Sequence, residues 1–473
     1  MAMGTRKHRQ RQEKLWIACE EISTPESHPF YRRVNEILDE AEFDEFVEVQ
    51  CQKFYAGKMG RPSLAPGVYF RLLLVGYFEG IDSERGIAWR ADDSLSLRKF
   101  LGFGLDEHAP DHSTISRTRR LIDLETHQSV FKYVLEMIAE RGLLKGKTLG
   151  VDATTLEANA AMRSIVRRDS GESYDEFLTR LAKESGIETP TREQLAKLDR
   201  QRKKRTSNEE WFNPNDVDAK VAKMKDGRTH MAHKAEHAVD LETGALVALT
   251  VQGANQGDTT TILETLGRAG EHLAETAEVV NNEDDGERVK ATGPEEIVTD
   301  KGYHSNEVLK KLDEADVRSY IPEPDRGRRK WDGKQAEKKA VYGNRRRVRG
   351  KHGKSLLKRR GEYLERSFAH LYETGGMRRT HLRGHENIEK RLLIQGSAFN
   401  LSLILRQEMK AGTPRGLQSG DGEVLVIAFA FISPVLAFRC IFELFADPAI
   451  GRGTVPNGVQ PGTRRQTELA RAA

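Results

Sequence analysis

Apolar residues recur on a roughly 3.6-residue period through the first third of the chain, and that period predicts helices. PSLAPGVYFRLLLVGYFEG has Pro62 and Ser63 where a helix would start, followed by apolar positions at helical spacing. SERGIAWRADDSLSLRKFLGF continues the habit. PDHSTISRTRRLIDLETHQSVFKYVLEMIAERGL opens with Asp111, Ser113 and Thr114, which suit the free N–H groups of a first turn, and predicts a long amphipathic helix.

At Thr148 the texture changes. TLGVDATTLEA is a β-branched, apolar strand carrying one acidic residue, and residues 160–220 are a polar, charged stretch that fits a helical insertion or a linker. HMAHKAEHAVDL and ALVALTVQ predict two strands joined through Glu242-Thr243-Gly244 in a hairpin. DTTTILETLGRAGEHLAE predicts a helix capped by Asp258. EEIVTD, SNEVLKKLDEAD and VRSYIPEP then read as strand, helix and strand, with a late helix after them. That order describes a mixed α/β sheet with an antiparallel hairpin, not a doubly wound parallel sheet.

Length and charge refine the picture. A chain of 473 residues suggests two or three domains. The expected boundaries are a basic tail at 1–25, a helical domain at 26–145, a sheet domain at 146–408 and an irregular tail at 409–473. The net charge of +4 is small for a chain with 31% charged residues, so the distribution of charge matters more than its sum. Cys19, Cys51 and Cys440 have neither disulfide nor zinc spacing, and a reducing, cytoplasmic setting is expected. The basic N-terminus lacks the apolar core of a secretory signal. The apolar run Val424–Phe438 is too short for a membrane span and is interrupted by Pro434, so no membrane partner is expected.

Two strands end in an isolated aspartate after an apolar run, at Asp152 and Asp300. A carboxylate there is costly unless it is paired, caps a turn or binds a cation, and Asp300-Lys301-Gly302 also suits a turn cap. Glu365, in GEYLERSFAHLYETGG, follows the most basic part of the chain, although spacing does not separate it from Glu362 or Glu373. Phosphodiester chemistry uses such trios because carboxylates are the hard ligands that Mg²⁺ accepts.

These stretches, with MGRPSLAPGVYFRLLLVGYFEG, PDHSTISRTR, GVDATTLEANA, DGRTHMAHKAEHAVD and VTDKGYHS in that order, resemble the DDE transposases of bacterial insertion sequences. The resemblance runs from about Phe30 to about Gln407. It implies an RNase H-like catalytic domain preceded by an all-helical DNA-binding domain, with Asp152, Asp300 and Glu365 as catalytic and metal-holding residues. It further implies two Mg²⁺ (or Mn²⁺) ions, double-stranded DNA as partner (terminal inverted repeats and target), and a homodimer or higher oligomer on that DNA. The family commonly has a basic residue about two turns after the glutamate, where this chain has Tyr372. Alternatives are a catalytically inactive or repurposed DNA-binding protein derived from a transposase, and a structure-selective nuclease of the same fold. Past Arg406 the chain departs from the family pattern, and the tail resembles read-through or a frame-shifted end.

Residues 326–360 hold 16 Lys or Arg against 2 acidic residues, a run expected to stay extended unless nucleic-acid phosphate neutralises it. The DNA-binding candidates are Arg345, Arg346 and Arg347 here, Arg378, Arg379 and Arg383 beyond Glu365, and Arg117, Arg119 and Arg120 in the helical region. In that region the alternative is a bundle with solvated arginines. Trp331 and Tyr342 interleave with the basic run, with packing favoured over base stacking. His230, His233 and His237 lack the further ligands of a zinc site and are expected to line the sheet or touch DNA. No glycine-rich phosphate loop points to ATP.

Overall fold

A computed structural model describes residues 28–418, apart from 57–62, 203–205, 225–226, 282–285, 326 and 328. The basic N-terminal tail, Cys19, Pro62, the run Val424–Phe438 and Cys440 lie outside the described residues.

The helical region comprises α1 (Pro29–Glu40), α2 (Phe43–Cys51), α3 (Pro66–Phe78), α4 (Glu84–Asp93), α5 (Leu95–Phe100), α6 (His112–Leu121) and α7 (Leu124–Glu140). α3 starts with Pro66, whose fixed φ suits a first helical position. Asp111 caps α6 by accepting from the Ser113 and Thr114 amides. The single long helix expected after it is two helices. Ile122 is extended, and Asp123 starts a new cap by accepting from the Thr126 amide at 2.8 Å.

The sheet strands follow the expected order: β1 (Thr148–Glu157), then β2 (Val166–Arg167), α8 (Tyr174–Glu184), α9 (Arg192–Gln201) and β3 (Trp211–Phe212) in the insertion. Next come β4 (Lys220–Lys223), β5 (Thr229–Asp240), β6 (Leu246–Gly253), α10 (Asp258–Val280), β7 (Glu296–Val298), α11 (Asn306–Glu314) and β8 (Arg318–Tyr320). The chain goes on through α12 (Gln335–Arg349), α13 (Lys351–Phe368), α14 (His385–Met409) and α15 (Pro414–Gln418). β5 pairs antiparallel with β1 on one edge, and with β6 and β4 on the other. β1, β7 and β8 run parallel. The β5–β6 turn closes at Gly244, whose φ of +84° favours glycine.

The insertion is folded rather than a loose linker. β2 and β3 form a ribbon, α8 and α9 each begin with a capping box, and Ile165, Phe177, Leu178 and Trp211 make a small core of their own. From Gln335 onward the basic run is likewise not extended, since it forms α12 and the first part of α13.

α10 covers one face of the sheet. α13 and α14 cover the other, the face from which Asp152, His237 and Leu249 project. α14 is buried around its whole circumference from Ile388 to Ser402, as expected of a helix with no amphipathic stripe. Its Gly396 lets it approach β6 closely, because a Cβ there would lie 2.4 Å from Leu249 Cδ1. Through α14 the N-terminal helices and the sheet share one hydrophobic core, running from Phe30 to Leu405. Among the described residues no helix is long and apolar enough to cross a membrane.

Candidate active site

Asp152 sits on β1 directly opposite His237 of β5. On the other edge, Gly150 pairs in parallel with Val298, so two further residues along each strand bring Asp300 beside Asp152. The two aspartates therefore meet where β7 ends, but β1 does not end there as its apolar run suggested: Asp152 is mid-strand, and β1 continues to Glu157 because β5 keeps pairing with it that far. Burial pushes the Asp152 carboxyl up to about 6; Arg360 and the Ala153 amide pull it down, while Asp300 and Asp258 push it further up. Asp300 also caps a turn, its Oδ1 accepting from the Gly302 amide at 2.8 Å.

The surrounding network supplies residues that sequence reasoning passed over. Asp258, expected as a helix cap, instead occupies the first position of α10 after Gly257, and its carboxylate takes Lys234 Nζ at 2.6 Å. The Asp258 and Asp300 carboxylates flank Gly302, where a Cβ would lie 2.7 Å from one and 3.0 Å from the other. Tyr303 donates to the buried Glu236 at 2.8 Å, and Thr261 and Thr265 donate to the same carboxylate. The turn carrying Asp300 is thereby tied to β5 and α10. The alternation of polar residues in HKAEH was the only trace of this in the sequence.

α13 lies across the Asp152 face. Its Arg360 reaches Asp152 with an Nη2–Oδ2 distance of 2.6 Å, and both side chains are mostly buried. Arg360 was visible only as one of many basic residues. Leu364 packs near Gly150, and one position later Glu365 is exposed, its carboxylate making no hydrogen bond or ion pair among the described residues. The structure thus brings Asp152 and Asp300 together and leaves Glu365 at the flank of the same helix. Tyr372 is buried on a π-helical turn, Ala369–Thr374, and bonds His237 Nε2, while Ser367 bonds its Nδ1. A cation at position 372 would be desolvated there. Burial holds His237 down at about 3, so it lines the sheet as a neutral ring; His233 is also buried, paired with Asp216 at 3.1 Å.

The nine candidate arginines divide sharply. Arg117 and Arg120 are exposed on α6, whereas Arg119 is buried, bonded to Glu84 and Asn387. On α12, Arg345 is clasped by Glu323 and Arg347 by Ser319, leaving Arg346 exposed. Arg119, Arg345 and Arg347 thus serve the packing of the protein itself. Trp331 and Tyr342 pack against each other at 6.2 Å. Arg378 is half-buried, and Arg379 and Arg383 are exposed on the segment after the π turn.

A mixed sheet whose first strand has an antiparallel neighbour, β5, on one side and a parallel neighbour, β7, on the other, with aspartates brought together across β1 and β7, is the RNase H-like arrangement. Residues 151–401, more than half of the chain, match the transposase DDE domain, and residues 18–121 match a transposase domain (DUF772). The chain belongs to the DDE transposase family. No curated protein and no solved structure matches it.

DDE transposases generally use divalent metal ions. Among the described residues no group of three His, Cys, Asp or Glu side chains lies close enough to hold one. The two aspartates nevertheless fit such an ion chemically. They are hard oxygen donors, and burial makes the charge of Asp152 costly in a way that a bound cation would offset.

Proposed function

We propose that this transposase binds the terminal inverted repeats of its own insertion sequence, cleaves phosphodiester bonds there, and joins the freed 3′ ends to target DNA. Asp152, Asp300 and Glu365 hold two divalent ions, Mg²⁺ or Mn²⁺. When bound, the ions supply charge stabilisation to the attacking and leaving oxygens and lower the pKa of water. The observation that carries this reading is the meeting of Asp152 with Asp300 on parallel neighbours, beneath the helix that bears Glu365.

The chain's own residues do the rest. Arg360 neutralises Asp152 in the free protein, and releasing it provides a cation for the DNA backbone. The Tyr303–Glu236 bond holds the Asp300 turn in place. Exposed arginines on α6 and α12 contact phosphate, with the helical region gripping the element ends. Two or more protomers hold the two ends together.

A second reading, a DNA-binding protein derived from a transposase that no longer cuts, draws on the exposed Glu365 carboxylate, which has no hydrogen-bond or ion-pair partner among the described residues, and on the Arg360–Asp152 pair. A protein carrying both Asp152→Asn and Asp300→Asn separates them. Under the first reading it binds element-end DNA as the parent does and makes no cut. Cleavage by that protein, or the absence of cleavage by the parent in Mg²⁺ and in Mn²⁺, refutes the first reading.

A further inference from the structure

The segment after the π turn does not leave the sheet. The Glu157 amide donates to the Arg378 carbonyl at 3.1 Å, and the Thr380 amide donates to the Glu157 carbonyl at 2.8 Å. Residues 378–380 thus add a short parallel stretch to β1, on the edge that β7 has already vacated. This stitching fixes two arginines against β1 and a third against the residues just past its end. Arg378 Nη1 donates to Thr154 Oγ1 at 3.3 Å, Arg379 Nε lies 3.8 Å from Glu157 Oε1, and Arg383 Nε donates to the Asn159 carbonyl at 3.3 Å. β1 is a ruler with its origin at Asp152. At about 3.3 Å per residue, the anchors at Thr154 and Glu157 lie about 7 and 17 Å from it, and the Asn159 anchor follows two residues past the end of the strand.

At the far end the track opens into a cavity of about 590 Å³, whose lining includes Asn159, Arg163, Asn215, Arg379 and Arg383. Arg163 comes from the insertion, is exposed, and makes no hydrogen bond or ion pair among the described residues. The insertion is itself locked to this place. Asp216 accepts from the Gly384 amide at 3.2 Å, Asp218 from the His385 amide at 3.0 Å, and Asn213 donates to the Ala161 carbonyl at 3.0 Å. A charged, solvent-open run of arginines whose backbone is held this firmly is preorganised for a polyanion, since little ordering is left to do when the ligand arrives. Glu157 and Glu373 are the acidic groups within it, paired with Arg379 and Arg378 respectively, and both are carried by partly or fully exposed side chains that a phosphate can displace.

We propose that Arg378, Arg379 and Arg383, with Arg163 at the end, form a phosphate track that leads one DNA strand away from Asp152 along β1 and into the cavity beside the insertion. This rests on the DNA-cleaving reading above. It adds a direction, an order of contacts and a role for the insertion as the outer wall of the strand's path.

Order is what the experiment reads. Element-end DNA is made with a single neutral methylphosphonate at each position in turn around the cut, and binding is measured for the parent and for Arg378→Gln, Arg379→Gln, Arg383→Gln and Arg163→Gln. The parent should lose affinity at a series of phosphates on one side of the cut. Each variant should lose sensitivity at one of them, at distances from the cut increasing from Arg378 through Arg379 to Arg383 and Arg163. Each should also reduce the slope of log affinity against log salt by about 1. Variants that keep the parent's interference pattern, or lose sensitivity in a different order, overturn the track while leaving the DNA reading intact. A parent indifferent to every methylphosphonate overturns both. Arg379, Arg383 and Arg163 are exposed, so unchanged thermal unfolding of those variants shows that a lost contact is not a lost fold.

Discussion

Asp152 makes the protein less stable at neutral pH than it need be, and the amount follows from its setting. Its carboxyl rises from 3.8 to about 6, chiefly through burial. Below pH about 4 it is protonated in the folded and the unfolded chain alike and contributes nothing to the pH dependence. Between about 4 and 6 the unfolded chain gives up the proton while the folded chain keeps it, so stability falls as pH rises. Above about 6 both are ionised and the full cost, about 3 kcal/mol, persists. Asp152→Asn removes the titration and leaves Arg360 without its charged partner at every pH, which adds a constant offset. Urea unfolding of both proteins in a chelator, from pH 4 to 7.5, cancels titrating groups remote from Asp152 in the difference, leaving Asp152 and the smaller response of its neighbours Asp300 and Asp258. Stability of the variant minus that of the parent should climb by about 3 kcal/mol across the range. Adding Mg²⁺ above pH 6 should then stabilise the parent and not the variant. A difference that stays flat with pH refutes the reasoning, because it means that Asp152 is no harder to ionise in the fold than out of it.

Tyr303→Phe strips a donor from the buried Glu236 and should cost about 1.5–3 kcal/mol in urea unfolding; a cost below about 0.5 kcal/mol would mean that the bond does not anchor the turn. Gly302→Ala puts a methyl group between the Asp258 and Asp300 carboxylates. It should lower cleavage more than tenfold while circular dichroism stays as in the parent, and full cleavage would show the two carboxylates free to move apart. Arg346→Glu should lower the salt slope of DNA binding by about 1 or more without affecting stability. Arg347→Glu should lower the melting temperature instead, since Arg347 Nε and Nη2 hold Ser319 at 2.9 Å each. Equal effects from the two would contradict the division between exposed and packed arginines.

Much of the sheet was legible because its signals are local. Alternation and β-branching marked β1, β5 and β6, the Gly244 turn marked the hairpin, and the apolar run before Asp300 marked the end of β7, whereas β1 continues five residues past Asp152. Where Asp152 and Asp300 meet depends on register, which the strand order implied. Side-chain commitment was not legible. Nothing in the spacing of Arg345, Arg346 and Arg347 separates the two that bind Glu323 and Ser319 from the one left in solvent, because their partners lie 22 and 28 residues away. The same holds for Arg360, one cation among many until α13 is laid across β1. α14 escaped detailed reading for a different reason. A helix buried on all sides has no period to detect, and its role in joining the helical region to the sheet emerges only from packing. Glu365 is where sequence and geometry part most clearly, since the resemblance names it and its exposed carboxylate has no hydrogen-bond or ion-pair partner among the described residues.

The central claim is that this chain cuts and joins DNA through Asp152 and Asp300. The most direct measurement incubates the full chain with Mg²⁺, labelled DNA from the ends of the flanking element and a supercoiled target, and sequences every new break and joint. The account predicts breaks at the element boundary, joints between the freed 3′ ends and target, and loss of both with Asp152→Asn or Asp300→Asn. Breaks without joints, or products that survive either substitution, would contradict it.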